Sequence, residues 1–373
     1  MTLARRYRAA AFAAVFIVLA GCAAPRVHGP ERRPQDVRAE IVRVLPADAK
    51  DREGWAADIA SAFDALRVDA STSNLCAAVA VIGQESNFVA DPAVPGLGRI
   101  ARAEIDRRAG QHNVPAFVVA AALSVRSSNG RSYADRIASV RTERELSLVY
   151  EDLIARVPLG RQLFADANPV HTGGPMQVSV AFAEAYAGEH SYPYPVDASI
   201  RREVFSRRGG VYFGIAHLLG YPANYDRMVY RFADYNAGFY ASRNAAFQSA
   251  LAIASGQPLA LDGDLIAYDD DKPGATELAV RSIARPLGLS DGAIRRALEE
   301  GESADFERTD VYTGVFARAQ KTAHRKLPRA IIPEIALKSP KITRKLTTAW
   351  FANRVEQRYA DCLARGGIAS SAH

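Results

Sequence analysis

The sequence contains few of the residues that build metal centres. It has three cysteines, Cys22, Cys76 and Cys362, and seven histidines. No group of these residues has the close spacing of a zinc site or another metal site. The sequence therefore predicts neither a metal site nor any other cofactor.

The chain also lacks the charge pattern of a nucleic-acid-binding protein. Its formal net charge is +6, and its basic residues are scattered, without aromatic residues interleaved among them in any one stretch. Three of the positive charges, Arg5, Arg6 and Arg8, precede an apolar run at the N-terminus. Removing these three from the 47 basic residues leaves 44, against 41 acidic residues, so the remaining chain is nearly neutral. We expect no nucleic-acid partner.

No apolar run is long enough for an ordinary membrane span. The run in residues 9–20 is shorter than the roughly 20 residues that a span needs, and Leu19-Ala20-Gly21-Cys22 follows the small-residue pattern of lipoprotein processing. Residues 1–21 are therefore predicted to be a removed signal peptide, and Cys22 the lipidated first residue, anchored in the membrane by its acyl chains. An uncleaved anchor helix is the alternative. Ala23 after the lipidated position favours the periplasmic face of the outer membrane.

Cys76 and Cys362 remain after Cys22 is assigned to lipidation. An even pair in an oxidising periplasm suggests a disulfide between them. Two buried free thiols are the alternative. A disulfide would fasten the last helix to the helix that carries Glu85.

The apolar patterns predict a mainly α-helical fold. Asn74 can cap a run from Leu75 to Ile82 that is apolar on every face, which is typical of a helix buried on all sides, although a buried strand would read the same way. No internal repeat is present at solenoid periods. Further helices are predicted at 99–110, 114–126, 142–157, 176–187, 199–219, 225–233, 239–255, 275–300 and 341–365.

Three short motifs lie far apart in the chain. They are residues 84–88 (Gln-Glu-Ser-Asn-Phe), 173–177 (Gly-Gly-Pro-Met-Gln) and 235–238 (Tyr-Asn-Ala-Gly). In this order they resemble the Glu-Ser, Gly-x-Met-Gln and Tyr-Asn-Ala-Gly motifs of the lysozyme-like lytic transglycosylases, which cut the glycan strands of peptidoglycan. The resemblance implies a small helical catalytic domain with a single catalytic acid. It also decides for a helix in the run before Glu85.

Glu85 is the candidate catalytic acid. It follows the apolar run that ends at Ile82, so it should lie at the rim of the core, where burial favours the protonated form of a carboxyl. An exposed glutamate at the end of an ordinary helix is the alternative. By the resemblance, the hydroxyl of Tyr235 points at this acid, whereas a core tyrosine with a satisfied hydroxyl is the plain interpretation.

The remaining motif residues are candidates for substrate binding. By the resemblance, the loop that carries Gly174, Met176 and Gln177 lines the glycan groove, and Met176 is expected to begin a helix. A plain Gly-Pro turn before a helix is the alternative, because Pro175 replaces the usual leucine. Ser86 and Asn236 complete the set, although Ser-Asn is also an ordinary helix end. His171, beside the glycines, is predicted to be an ordinary loop residue.

Asp234 departs from the motif, because the family usually has a small residue at this position. A second carboxylate near Glu85 would bind a sugar hydroxyl, raise the pKa of the acid by like-charge repulsion, or activate water. The last of these would make the protein a hydrolase.

The domain boundaries follow from the motif spacing. Glu85 and Met176 are 91 positions apart, more than in compact family members, so a helical subdomain is predicted as an insertion at about 95–168. A proline-containing tether should cover 22–37. The catalytic domain is then predicted at 38–255, with a helical extension at 256–373 packing on it.

Three functions are compatible with these residues. A lytic transglycosylase would cleave the bond between N-acetylmuramic acid and N-acetylglucosamine and form 1,6-anhydro ends, with no cofactor. A muramidase would use water, with Asp234 or Asp91 as the base. A non-catalytic lipoprotein would keep the fold to bind glycan strands or scaffold envelope proteins.

Overall fold

The fold is mainly α-helical, as the sequence predicted. A computed structural model describes residues 32–156, 159, 162, 167–267, 272–337 and 344–368. This part contains seventeen α-helices and four two-residue strands in two antiparallel pairs. None of these helices has both the length and the apolar character that crossing a bilayer requires. The predicted signal peptide, most of the tether and Cys22 lie outside the described residues.

The first three helices form the N-terminal part of a large core. Helix α1 begins at Pro34, four residues before the predicted start of compact structure, because proline suits the first helical turn. Ser71 caps α3 by accepting a hydrogen bond from the amide of Asn74, so the helix begins three residues before the predicted cap. The bounds are α1 (Pro34–Val44), α2 (Arg52–Leu66) and α3 (Thr72–Glu85).

Four helices lie where the insertion was predicted. They pack on one another, and the two ends of the segment meet at its base, where the Val94 amide donates to the Arg141 carbonyl at 2.8 Å. Thr142 and Glu145 form a reciprocal capping box that starts the last of the four helices. The bounds are α4 (Leu97–Gln111), α5 (Ala116–Ser124), α6 (Tyr133–Ser139) and α7 (Glu143–Ala155).

A short hairpin and five helices follow. The helix expected to begin at Met176 begins at Val180 instead, because residues 174–177 form the turn between two strands. The predicted helix at 199–219 is two helices, since Ser206 caps the second one through the Gly209 amide. The bounds are β1 (Thr172–Gly173), β2 (Val178–Ser179), α8 (Val180–Glu189), α9 (Ile200–Val204), α10 (Arg207–Leu219), α11 (Met228–Ala237) and α12 (Ala241–Ser255).

The C-terminal half of α12 begins a second core. Buried Arg243 joins this helix to the segment after α15 by donating to the carbonyl oxygens of Gly301 and Ser303, at 2.5 and 2.7 Å. Helix α16 was not predicted. The bounds are α13 (Ala275–Ser282), α14 (Ala284–Leu287), α15 (Asp291–Glu299), two 3₁₀ turns (Glu300–Glu302 and Ala304–Arg308) and α16 (Asp310–Ala323).

The last helix belongs to the first core, which corrects the predicted boundary at 256. Helix α17 (Thr348–Arg365) follows a pair of short strands, β3 (Ala336–Leu337) and β4 (Leu346–Thr347). Its apolar face, which includes Phe351 and Val355, is buried against α3 and α11. A disulfide joins Cys362 on this helix to Cys76 on α3, the pair expected from the sequence. The independent extension is therefore limited to the second core.

The disulfide should contribute strongly to stability, because it closes a loop across 286 positions of the chain. In the chain-entropy model, the double variant Cys76→Ala/Cys362→Ala should lose about 4 kcal/mol or more of unfolding free energy. Urea denaturation of both proteins, with and without reductant, measures this loss. Reductant should shift the midpoint of the wild type and leave the variant unchanged. Labelling of both thiols in denatured, unreduced wild type would contradict the disulfide.

Candidate active site

Glu85 is the last residue of a helix whose interior is completely buried. The side chains from Leu75 to Ile82 are at most 2% exposed, whereas Glu85 is partly exposed. The helix ends because Ser86 adopts a non-helical conformation and its side chain donates to the Ile82 carbonyl. The structure therefore places Glu85 at the rim of the core, as the sequence predicted.

The chain turns sharply after Glu85. Asn87 and Phe88 both have positive φ angles, 48° and 61°, which reverse the chain direction. Phe88 then folds back into the core, with its ring edge-on to Trp55 at 5.5 Å between centroids. This contact anchors the loop that follows the glutamate.

The second motif forms a tight turn against α9. Gly174 has φ +72°, and a Cβ at this position would overlap the carbonyl oxygen of Val204. A Cβ at Gly173 would overlap the ring of Phe205. Both glycines are thus required by the close approach of two backbones. Because Gly174 is buried, it shapes the turn and offers no side chain to a substrate.

Helix α10 accommodates the rest of the turn. Gly210 and Gly214 are one helical turn apart, and a Cβ on either would overlap Pro175 or Met176. The Met176 side chain is completely buried in this groove. Its predicted contact with substrate is therefore wrong, because Met176 positions the turn through packing instead.

Tyr235 connects the second and third motifs. Its hydroxyl donates to the backbone carbonyl of Met176 at 2.7 Å. Burial raises the pKa of Tyr235 well above its ordinary value, and the charge of Glu85 raises it further. Glu85 and Tyr235 are therefore close enough to interact, and the three motifs meet at one place.

An aromatic cluster supports Tyr235 from the side away from Met176. The ring of His217, on α10, lies 5.0 Å from the ring of Tyr235 and 4.7 Å from that of Phe239. Burial lowers the pKa of His217 to about 4, so this residue is neutral at pH 7. No short motif in the sequence marked His217, and only its place in the fold reveals it.

Two polar residues of the motifs remain accessible. Gln177 is partly exposed, and its amide group donates to the Gly174 carbonyl at 3.3 Å within the turn. Asn236 is exposed, and its side-chain oxygen accepts a hydrogen bond from Thr348 at 3.0 Å. Both amides keep hydrogen-bonding capacity for a sugar. Ser86 is buried and bonded to Ile82, so it acts on the helix end instead of contacting a substrate.

Asp234 has a structural role that corrects its predicted contact with substrate. Its side chain is 1% exposed. One carboxylate oxygen accepts from the hydroxyls of Tyr221 and Tyr225, at 3.0 and 2.6 Å, and the other accepts from the Ser242 amide at 2.7 Å. Burial raises the pKa of Asp234, and these hydrogen bonds oppose the rise. A carboxylate enclosed in this way contacts neither sugar nor water.

Helix α17 contributes to the edge of the site. Its Thr348 contacts Asn236, and its Arg358 donates to the side chain of Gln84 at 3.2 Å, next to Glu85. The sequence gave no sign of these contacts, since the two segments are more than a hundred residues apart. In the described part of the chain, no three His, Cys, Asp or Glu residues are grouped so as to hold a metal ion.

Replacing Asp234 should destabilise the fold. Asp234→Ala leaves two buried hydroxyls and one amide without their acceptor, so the free energy of unfolding should fall by roughly 2 to 5 kcal/mol. Exposed Asp226 provides a matched control, and Asp226→Ala should change the stability by less than about 0.5 kcal/mol. Chemical denaturation measures both. Wild-type stability in Asp234→Ala would show that this network is unimportant.

His217 should make stability depend on pH. The unfolded chain gains a proton on this residue near pH 6.5, whereas the native protein resists protonation until about pH 4. Stability should therefore fall as the pH drops from 6.5 to 4, by at most about 3 kcal/mol from this residue. His217→Phe, which cannot titrate, should lose less stability over this window. Equal pH dependence of the two proteins, measured by urea denaturation, would rule out the effect.

Comparisons with known proteins place the chain in a family. The model of a family described as "Protein of unknown function (DUF1615)" matches residues 48–365. The chain is 53% identical over 349 residues to the "Uncharacterized protein YaiW" of Escherichia coli (strain K12), covering 93% of this chain and 95% of that protein. No solved structure matches the chain. The match over most of its length shows that the chain belongs to the DUF1615 family.

Proposed function

We propose that this protein is a peptidoglycan lytic transglycosylase with Glu85 as its catalytic acid and base. One observation carries the proposal. Glu85 acts electrostatically on Tyr235, whose hydroxyl is bonded to the Met176 carbonyl, so three motifs separated by up to 150 positions converge. This is the arrangement that their resemblance to the transglycosylase motifs implies.

In the first step, Glu85 donates a proton to the glycosidic oxygen between N-acetylmuramic acid and N-acetylglucosamine. The bond from this oxygen to the anomeric carbon then breaks. Tyr235 favours this step, because its only hydroxyl proton is directed at the Met176 carbonyl. Its oxygen can offer Glu85 only lone pairs, which accept a hydrogen bond from a protonated carboxyl and repel a carboxylate.

In the second step, Glu85 acts as the base. As a carboxylate it takes the proton from the C6 hydroxyl of the muramyl residue, and the C6 oxygen attacks the anomeric carbon. A 1,6-anhydro ring forms, and Glu85 is protonated again. No water is consumed. The neutral aromatic cluster beside Tyr235 brings no competing charge to the site.

The other carboxylates considered from the sequence favour this mechanism over hydrolysis. Asp234 is enclosed by its three donors and is not available to activate water. Asp91 accepts a hydrogen bond from Thr142 at 3.0 Å, at the base of the inserted subdomain. A single acid that serves in both steps is therefore the simplest reading of the site.

The proposed place of action is the periplasmic face of the outer membrane. Cys22, whose acyl chains would anchor the protein there, lies outside the described residues. The disulfide between Cys76 and Cys362 is of the kind that persists in oxidising compartments. The proposed partners are the glycan strands of peptidoglycan and the membrane itself.

Glu85→Gln should abolish the activity. The glutamine keeps the size of the side chain but cannot donate the proton, so the rate of digestion of purified sacculi should fall by about 100-fold or more. Exposed Glu189, at the end of α8, gives a matched control, and Glu189→Gln should retain full activity. Wild-type activity in Glu85→Gln would remove Glu85 from the mechanism.

Mass analysis of the products separates the three functions. A transglycosylase releases anhydro-muramic ends that are lighter by one water than the products of hydrolysis. Reducing ends from the wild type would support a muramidase, and strand binding without any products would support a non-catalytic protein. In Tyr235→Phe, the highest pH at which the enzyme stays active should move down, because the protonated acid loses its acceptor.

A further inference from the structure

The inserted subdomain contains a large cavity that is separate from the candidate active site. The cavity has a volume of about 590 Å³ and lies between helices α4 to α7 and residues 167–171. Neither Glu85 nor Tyr235 is among its lining residues. Its volume is within the range of cavities that hold small-molecule ligands, roughly 300 to 1,000 Å³.

The walls of the cavity are rigid. Helices α4 and α6 touch at Gly98, where a Cβ would overlap the carbonyl oxygens of Ile137 and Ala138. The hydroxyl of Tyr133, whose ring lines the cavity, donates to Asp152 at 3.0 Å, and Arg136 binds the same carboxylate at 2.6 Å. These contacts keep the helices apart at fixed distances. The space is therefore a built feature and not loose packing.

The base of the cavity is aliphatic. The lining residues with the least exposure include Leu97, Leu123, Ile137 and Val149. An apolar cavity of this kind holds water poorly and binds apolar molecules instead. Each methylene group that enters gains roughly 0.8 kcal/mol of hydrophobic free energy. The lining therefore suits a hydrocarbon chain.

The rim of the cavity carries most of the charge, and arginines predominate there. Exposed Arg108 lies at the rim, where it shares Glu104 with Arg107. Arg201 donates to the carbonyl of Val170, a lining residue, at 2.9 Å. Arg108 and Arg201 both act on Tyr150, which also lines the cavity. Three arginines against one glutamate give the rim a net positive charge.

We propose that this cavity binds a single aliphatic chain with an anionic head group, of the fatty-acid type. The chain occupies the aliphatic base between α5, α6 and α7, and the carboxylate faces Arg108 and Arg201 at the rim. The occupant is either a free amphiphile or one acyl chain of a lipid, since both share this chemistry. The site is independent of the proposed glycan cleavage.

Binding is tested with the chain from residue 22 onward, carrying Cys22→Ser and purified without detergent. Octanoate, decanoate and dodecanoate are titrated by calorimetry below their micelle concentrations. The affinity should rise roughly threefold to fourfold with each added methylene. Arg108→Ala should weaken dodecanoate binding severalfold and leave dodecanol binding unchanged. No binding of any of these chains, or equal loss for the alcohol, would overturn the proposal.

Two variants that fill the cavity locate the binding. Ile137→Trp should abolish dodecanoate binding, and the milder Val149→Phe should weaken it at least tenfold while circular dichroism shows an intact fold. Phe117, which is on α5 but 74% exposed and not part of the lining, provides the control. Phe117→Ser should bind normally. Binding that depends on Phe117 and not on Val149 would indicate adsorption to the surface and refute the cavity site.

The source of the chain is distinguished by vesicles. Sedimentation with phosphatidylglycerol vesicles should depend on Ile137 and Val149 if a lipid chain enters the cavity from the bilayer. If only free fatty acid enters, the same variants should leave sedimentation unchanged and remove dodecanoate binding. Sedimentation and dodecanoate binding that both persist in Ile137→Trp and Val149→Phe would refute the proposal.

Discussion

The complete burial of α3 is the constraint on which the rest of the first core depends. A helix with no exposed side chain from Leu75 to Ile82 must be surrounded on every side. Helices α1, α10 and α17 provide these surroundings, and the disulfide at Cys76 holds α17 in place. Glu85 comes one turn after this segment, so its position is fixed by packing. A carboxyl at the rim of a rigid core suits an acid that must return to the same place in both steps of a reaction.

Small residues bring the second motif to this acid. Gly210 and Gly214 form a groove on α10, and the turn that carries Met176 lies in it. The side chain of Met176 anchors the turn, and its backbone carbonyl is left pointing at Tyr235. The chemically important atom of this motif is thus a carbonyl oxygen. A sequence motif identifies residues, but it does not tell which atom of a residue acts.

Much of the helical structure was predictable, and the omissions are instructive. Helix α16 has its buried residues at Val311, Tyr312, Val315 and Phe316, with Thr309 as the cap, which is a readable helical pattern. Its omission was an error of reading. In contrast, the split of the predicted helix at 199–219 depends on Ser206 capping α10, and the hairpin at Met176 depends on backbone contact with α9. Such contacts are not visible in a single sequence.

The prediction of the site succeeded where a side chain acts locally and failed where distant segments decide. Glu85 lies at the rim of the core because of its own helix, and the apolar run before it was sufficient to show this. The role of Asp234 depends on Tyr221, Tyr225 and Ser242, which approach it only in the fold. His217 and helix α17 were missed for the same reason.

The unusual Asp234 strengthens the case for its neighbour Tyr235. Asp234 ties the end of α11 to the start of α12 through the Ser242 amide, and to the preceding loop through Tyr221 and Tyr225. These bonds fix the rotation of α11 about its axis. Tyr235 is the next residue on this helix, so its direction toward Met176 and Glu85 is set by the same bonds. The departure from the family's small residue therefore replaces a packing contact with a hydrogen-bond network, and it leaves the geometry of the tyrosine well determined.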